Sequence, residues 1–188
     1  MTSAAPLREE NATLLVRRGV VLAAIPAIYT LALALLAEAL PGSFDNLIPT
    51  LNEFLAPRLL SFAAVVALTF CCLAFAAPVG SRWYRACRWL HDRNAEFAFS
   101  CGCIILGVVL SAGAASWMLG DGYPPGGAEV VILIGALLGL VWGTSRYVFS
   151  EASRVHVWLT TPRWFGRAFS AIGVVIMLYT LVSSLHAR

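Results

Sequence analysis

The stretch EVVILIGALLGLVWGTSRYVF, from Glu129 to Phe149, decides the fold class of this chain. Apart from the glutamate that begins it and one arginine near its end, it carries no charged residue. The hydrocarbon core of a bilayer is about 30 Å thick, so a helix needs roughly 20 apolar residues to cross it. Barrel strands are short and alternate in polarity, whereas this run is long and continuous, and it therefore predicts a transmembrane helix.

Four further stretches have the same character, and together they predict an all-α membrane protein with a five-helix bundle in a single domain, residues 1–188. The five predicted spans cover residues 19–40, 58–79, 97–119, 129–149 and 166–185. The chain is 60% hydrophobic and 12% charged, about half the charged fraction of a soluble domain. Because the five spans and their connections take up residues 1–188, we expect no separate soluble catalytic domain within them. The net charge of +3 is small and the basic residues are dispersed, so nucleic acid is not an expected partner.

Arginine placement predicts the orientation. With the N-terminus inside, the inner segments hold Arg8, Arg17, Arg18, Arg82, Arg85, Arg88, Arg93, Arg146, Arg154, Arg163 and Arg167. The outer side keeps only Arg58 and Arg188, a strong positive-inside bias. We therefore expect an inner-membrane protein with a cytoplasmic N-terminus and a periplasmic or extracellular C-terminus. The alternative is signal-peptidase cleavage at Ala37-Glu38-Ala39, but the apolar run exceeds a usual signal core and follows an acidic leader.

Small residues predict how the helices pack, because close approach through small side chains drives helix association in lipid. Span four carries Gly135, Gly139 and Gly143, two overlapping GxxxG steps on one face. We expect a close helix crossing there, within the molecule or to a partner. Three other spans have matching stripes, so we expect spans two, three and four to pack through such faces. The stripes are Cys103, Gly107, Ser111 and Ala115 in span three, Ala63, Ala67 and Cys71 in span two, and Gly19, Ala23 and Ala27 in span one.

The connections between spans are predicted to lie at the membrane surface. Tryptophan and arginine together favour the headgroup region. The two inner connections contain such residues, namely Trp83, Arg85, Arg88, Trp89, Trp158 and Trp164. The alternative is a docking surface for a cytoplasmic partner. On the outer side, residues 44–55 predict a short amphipathic helix, and Glu38 is expected to pair with Arg58.

Side chains suited to catalysis or metal binding are scarce in the predicted spans. His91 and His156 fall in inner connections, where we expect them to be solvated, although they could share a metal. Gly143-Thr144-Ser145 resembles a serine-hydrolase turn only loosely, because no histidine is expected at its depth. Cys71, Cys72 and Cys103 suggest either helix packing or a soft-metal or redox site, since cysteine suits both roles. No cofactor is predicted.

These patterns favour a non-enzymatic membrane protein that acts through helix–helix contacts. It would serve as an accessory subunit of a membrane complex or as a toxin-neutralising, immunity-type protein. The expected partners are the lipid bilayer and another membrane protein or a second copy of the chain. Two alternatives remain open: a small permease, with a soft metal ion carried through Cys72 and Cys103, and a membrane-embedded enzyme acting on lipid at the cytoplasmic face.

Overall fold

The computed structural model describes residues 12–39, 57–120, 127–161 and 163–186. These residues form helices and connecting turns without any strand, which confirms the all-α prediction for this part of the chain. The helices are α1 (Ala12–Ala39), α2 (Pro57–Ala74), α3 (Arg82–Met118), α4 (Gly127–Gly143), α5 (Arg154–Thr160) and α6 (Arg163–His186). A π-helical turn, Thr144–Val148, continues α4.

Three helices are long and apolar enough to cross a membrane: Thr13–Leu36, Arg82–Met118 and Ala128–Val148. The apolar parts of α2 and α6, Leu60–Ala74 and Trp164–Thr180, are shorter. The membrane-protein class therefore rests on three candidate spans, and the count of five stays a prediction. The predicted outer helix at residues 44–55 and the side chains of Glu38 and Arg58 lie outside the described residues.

Helix α3 begins fifteen residues before the predicted third span. The segment predicted to be an inner connection at the membrane surface is instead the first four turns of this helix. Its position at the membrane surface stays a prediction. Gly80, whose φ is +85°, makes the turn before α3, and the Ser81 hydroxyl accepts a hydrogen bond from the Tyr84 amide at 3.1 Å, which caps its first turn. No proline or described break interrupts the helix after that point. A buried stripe at helical spacing then runs through Tyr84, Cys87, His91, Ala95 and Ala98.

The chain forms two compact units. The first unit comprises the described residues of Phe62–Ala98 and Gly139–Arg188, and the second those of Asn11–Ser61 and Phe99–Leu138. The core of the first unit contains aromatic, aliphatic and cysteine side chains from α2, α3, α5, the π-helical turn and the residues directly after α2 and after that turn. They are Cys71, Ala74, Phe75, Tyr84, Cys87, Val148, Phe149 and Leu159.

Within the first unit, neighbouring helices run in opposite directions. Ala67 of α2 meets His91 of α3, and the later Leu73 meets the earlier Trp83, so α2 and α3 are antiparallel. The same reversal holds between α2 and α6. There, Cys72 meets Ser170, while the later Phe75 meets the earlier Gly166.

Within the second unit, α1 and α3 run in the same direction. The space beside Gly19 is filled by the Cys103 sulfur, 3.4 Å from where a Cβ would stand. Four residues later on both helices, Gly107 faces the backbone of Ala23. Contacts that advance together along two helices mean that α1 and α3 are parallel.

Candidate functional site

A buried polar pair in the first unit joins three elements of the chain. His91 of α3 is 0% exposed and Ser145 of the π-helical turn is 1% exposed. One ring nitrogen of His91, Nδ1, lies 2.8 Å from the Ala67 carbonyl of α2, and the other, Nε2, lies 2.9 Å from the Ser145 hydroxyl. Both polar ends of the imidazole therefore have partners, as a buried side chain of this kind requires.

The chemistry of the partners fixes the proton positions. A carbonyl can only accept, so Nδ1 carries the proton and donates it to Ala67. In the neutral ring, Nε2 is then an acceptor that faces the Ser145 hydroxyl. That hydroxyl also lies 3.0 Å from the Val141 carbonyl and has one proton, so it donates to His91 or to Val141 but not fully to both.

The π-helical turn presents Ser145 to α3. Thr144 also donates to the Val141 carbonyl, at 2.9 Å, so two hydroxyls converge on one backbone oxygen. Serine and threonine hydroxyls that bond back to the preceding turn often bend or widen a helix, and single π turns are frequent at functional sites. Sequence reasoning missed this arrangement, because a π turn leaves no periodic signal of its own.

Aromatic rings surround the pair. The Phe149 ring centroid lies 4.9 Å from that of His91 and 5.9 Å from that of Phe75, against which it stacks. Tyr84 meets both phenylalanines edge-on, with centroids 5.8 and 6.0 Å away. These rings keep water from the hydrogen bonds, which strengthens them because the local dielectric is low.

A serine hydroxyl bonded to an imidazole is the geometry of an activated nucleophile. In this protein both side chains are sealed, and a substrate would reach the hydroxyl only if the helices moved apart. The histidine is held by a backbone carbonyl rather than by a carboxylate. The pair is therefore suited to holding α2, α3 and the π-helical turn together.

The sequence predictions for the two inner histidines are wrong. His91 is not solvated, and His156 is also buried, with Nδ1 2.8 Å from the Val148 carbonyl. Both lie in polar stretches that predict connections between spans, but α3 extends through His91, and Ser153 caps the short helix α5 that carries His156. A signal did exist in the sequence. His91 lies four residues after Cys87 and four before Ala95, on the face of small residues that the helix buries.

The cysteines have packing neighbours. Cys71 belongs to the aromatic core of the first unit. Cys72 packs closely on Gly173, because a Cβ atom added to Gly173 would stand only 2.7 Å from the Cβ atom of Cys72. Cys103 lies beside Gly19 in the second unit. Among the described residues, no group of three or more histidine, cysteine or acidic side chains is placed to hold a metal ion.

The glycine stripes of the two predicted packing helices have different surroundings. In α3 the whole stripe is buried, and a Cβ at Gly107 would collide with the Ala23 backbone. In α4 a Cβ at Gly135, Gly139 or Gly143 would meet no atom of the described chain within 4 Å. Within the described residues, α4 therefore buries another face, and the expected close crossing through its glycines stays a prediction.

Tryptophans expected at the membrane surface are on the outside of the first unit. Trp83, Trp89, Trp158 and Trp164 are all more than half exposed. The Trp83 indole donates to the Leu73 carbonyl at 2.8 Å, and the Arg93 guanidinium lies 6.0 Å from the Trp89 ring centroid. Arg85 is exposed and Arg88 is half-buried, with its guanidinium 6.0 Å from the Phe149 ring. Their role as anchors stays a prediction.

Fold and site together define an all-helical protein with candidate membrane spans and a buried polar pair in its first unit. Comparison with known protein families, with curated proteins and with solved structures finds no match for this chain. What the protein does must therefore be argued from its own residues.

Proposed function

We propose that this is a non-enzymatic membrane protein that binds another membrane protein through the glycine face of α4. This face consists of Gly135, Gly139 and Gly143. An accessory subunit of a membrane complex or a toxin-neutralising protein would act in this way. The observation that carries the proposal is that no atom of the described chain fills the space at any of the three glycines, on a helix whose other side is already packed.

The two sides of α4 differ sharply in how far their side chains are buried. Ile134 and Val141 are almost completely buried and, at 100° per residue, lie about 140–160° around the helix from Gly139. Apolar side chains flank the open side, and Ile132, seven residues before Gly139 and thus on the same face, is 70% exposed. The helix is therefore held by one side and presents glycines on the other.

In a bilayer no hydrophobic driving force brings apolar helices together, because lipid tails are equally apolar. Helices therefore associate through close van der Waals packing. Glycines four residues apart let two backbones approach and gain van der Waals contact along a whole turn. Leucine or isoleucine would satisfy lipid equally well at these positions. A row of three glycines on an outward side thus favours a protein partner over lipid.

The two other hypotheses lack a supporting observation. The contacts described for Cys72 and for Cys103 are those of helix packing. The pair His91–Ser145 is closed to lipid substrates, and nothing else among the described side chains favours an enzyme.

Photo-crosslinking tests the proposal. A photo-reactive amino acid in place of Ile132 should give a crosslink to a second protein in intact cells, and Gly139→Leu should abolish it, because the added side chain holds the helices apart. The same amino acid in place of Leu133, exposed but about 120° around the helix from Gly139, is the control and should give no such product.

A crosslink that survives Gly139→Leu would contradict the proposal. A crosslinked product of twice the mass of the chain would show that the glycine face binds a second copy of the chain, and the accessory role would then be rejected in favour of self-association. The level of the variant in the membrane must match the unmodified chain, so that loss of the product reports loss of contact.

We also propose that the chain crosses the inner membrane five times, starting in the cytoplasm. The parallel course of α1 and α3 supports this, because two parallel spans need an odd number of crossings between them and α2 is the single apolar helix described there. The antiparallel course of α2 and α6 fits a final outward crossing. The eleven arginines of the inner segments favour the orientation.

Cysteine labelling tests the orientation. Arg85→Cys should react with a membrane-impermeant maleimide only after the cells are permeabilised, whereas Asp121→Cys should react in intact cells. The unmodified chain, with its five native cysteines, sets the background. Labelling of Arg85→Cys from outside would reject the proposed topology.

A further inference from the structure

An apolar groove runs along the second unit between α1 and α3. Its cavity volume is about 520 Å³. Every residue that lines it is apolar or glycine or cysteine. They are Leu15, Val16, Gly19, Val20, Ala23, Ala24 and Ala27 of α1, Phe99, Cys103, Leu106, Gly107 and Leu110 of α3, and Leu138 of α4.

The groove is narrow because its two walls touch. Gly107 lies against the backbone of Ala23, so α1 and α3 are in contact at its base. Along α1 the lining runs from Leu15 to Ala27, about 18 Å at 1.5 Å per residue. Half of a bilayer core is about 15 Å thick, so the groove has the length of one leaflet.

The dimensions select the occupant. An α-helix with its side chains is at least about 10 Å wide, whereas the two walls of the groove touch at its base. A helix would therefore lie across the rim rather than inside. A single hydrocarbon chain is thin enough to enter. The entirely apolar lining suits it, because a hydrocarbon chain has no polar group that needs a hydrogen bond.

One end of the groove carries positive charge. The Arg18 guanidinium lies 6.0 Å from the centroid of the Phe99 ring, and Phe99 lines the groove at that end. Arg17 is exposed beside it. Both arginines directly follow Leu15 and Val16, the first residues of α1 that line the groove. The positive charge therefore lies at the end of the groove where the headgroup of a lipid would be if its acyl chain filled the groove.

We propose that this groove binds one acyl chain of an anionic phospholipid, with Arg18 contacting the headgroup phosphate. The site is independent of the glycine face of α4 and does not rest on the function proposed for it. Electrostatic attraction between arginine and an anionic headgroup, together with burial of the chain, supplies the affinity. The bound lipid would complete the surface of the second unit.

Native mass spectrometry of the purified full chain in detergent tests the site, with added phosphatidylglycerol and phosphatidylcholine of the same acyl chains. Ala24→Phe fills the groove, and we expect phosphatidylglycerol binding to fall about tenfold, the loss of roughly two methylene contacts. The control is Val21→Phe, which adds the same ring at an exposed position outside the lining. It should bind like the unmodified chain.

Arg18→Gln tests the headgroup contact. The preference for phosphatidylglycerol over phosphatidylcholine should fall about fivefold, the usual contribution of one arginine near an anionic surface. Arg17→Gln is the matched control and should change it less. Equal binding by Ala24→Phe and Val21→Phe would overturn the groove, and equal binding of the two lipids by the unmodified chain would overturn the role of Arg18. A dimer of the chain lost only in Ala24→Phe would make a second copy the occupant and reject the lipid.

Discussion

Replacing His91 by alanine should lower the stability of the protein more than any single exposed substitution. The change removes a fully buried ring, for which core truncations cost about 2–5 kcal/mol. It also removes two hydrogen bonds, at about 1 kcal/mol each. The expected result is a clear shift of the unfolding midpoint in a denaturant titration of the protein in detergent, followed by circular dichroism.

Two further variants separate packing from hydrogen bonding at this site. His91→Phe keeps a ring but loses both hydrogen bonds, so its cost should fall between those of the unmodified chain and His91→Ala. Ser145→Ala should cost about 1–3 kcal/mol, because it leaves Nε2 of His91 buried without its partner, although Thr144 still donates to the Val141 carbonyl. Trp89→Ala, on the exposed side of the same helix, is the control and should change stability by only about 0.5 kcal/mol. If His91→Ala costs no more than Trp89→Ala, the pair does not hold the helices together.

Leucine at Gly107 should destabilise the second unit strongly. The side chain would point into the Ala23 backbone, which cannot move aside without separating α1 from α3. Overpacking of this kind costs about 1–3 kcal/mol, and more where the obstacle is backbone. The same detergent titration measures the effect.

Gly139→Leu is the matched control, because it adds the same side chain to a glycine of another apolar helix where the space is open. It should leave the unfolding midpoint nearly unchanged while it abolishes the crosslink from position 132. Equal losses of stability at both glycines would mean that the open face of α4 is occupied within the chain, which would also remove the basis of the proposed partner contact.

The sequence alone could predict most of the helices, because a long apolar run permits little else in lipid. Helices were expected around residues 19–40, 97–119 and 129–149, and the structure has apolar helices long enough to span at each. The start of α3 was not predicted, since Arg82–Arg93 is polar enough to pass for a surface segment. Its buried stripe of Tyr84, Cys87 and His91 emerges only when α2 and the π-helical turn pack against it.

The sequence could predict where small-residue stripes lie, but it could not predict which of them would be buried. The glycines of α3 and α4 have the same spacing in the sequence, yet one stripe is buried and the other is open. In a helix that is apolar all around, no contrast between polar and apolar sides marks which face will be covered. The groove between α1 and α3 was not predicted either, because its volume depends on how closely Gly107 and Ala23 approach.

Hydropathy and arginine placement are local properties, so the sequence by itself determined that the chain is helical and apolar and predicted an orientation for it. Only the tertiary structure decided that His91 meets Ser145, fifty-four residues away, and that the glycines of α4 meet no other part of the described chain. Those outcomes depend on which helix faces meet, and that choice is made by shape and by the pairing of buried polar groups, which no single stretch of sequence contains.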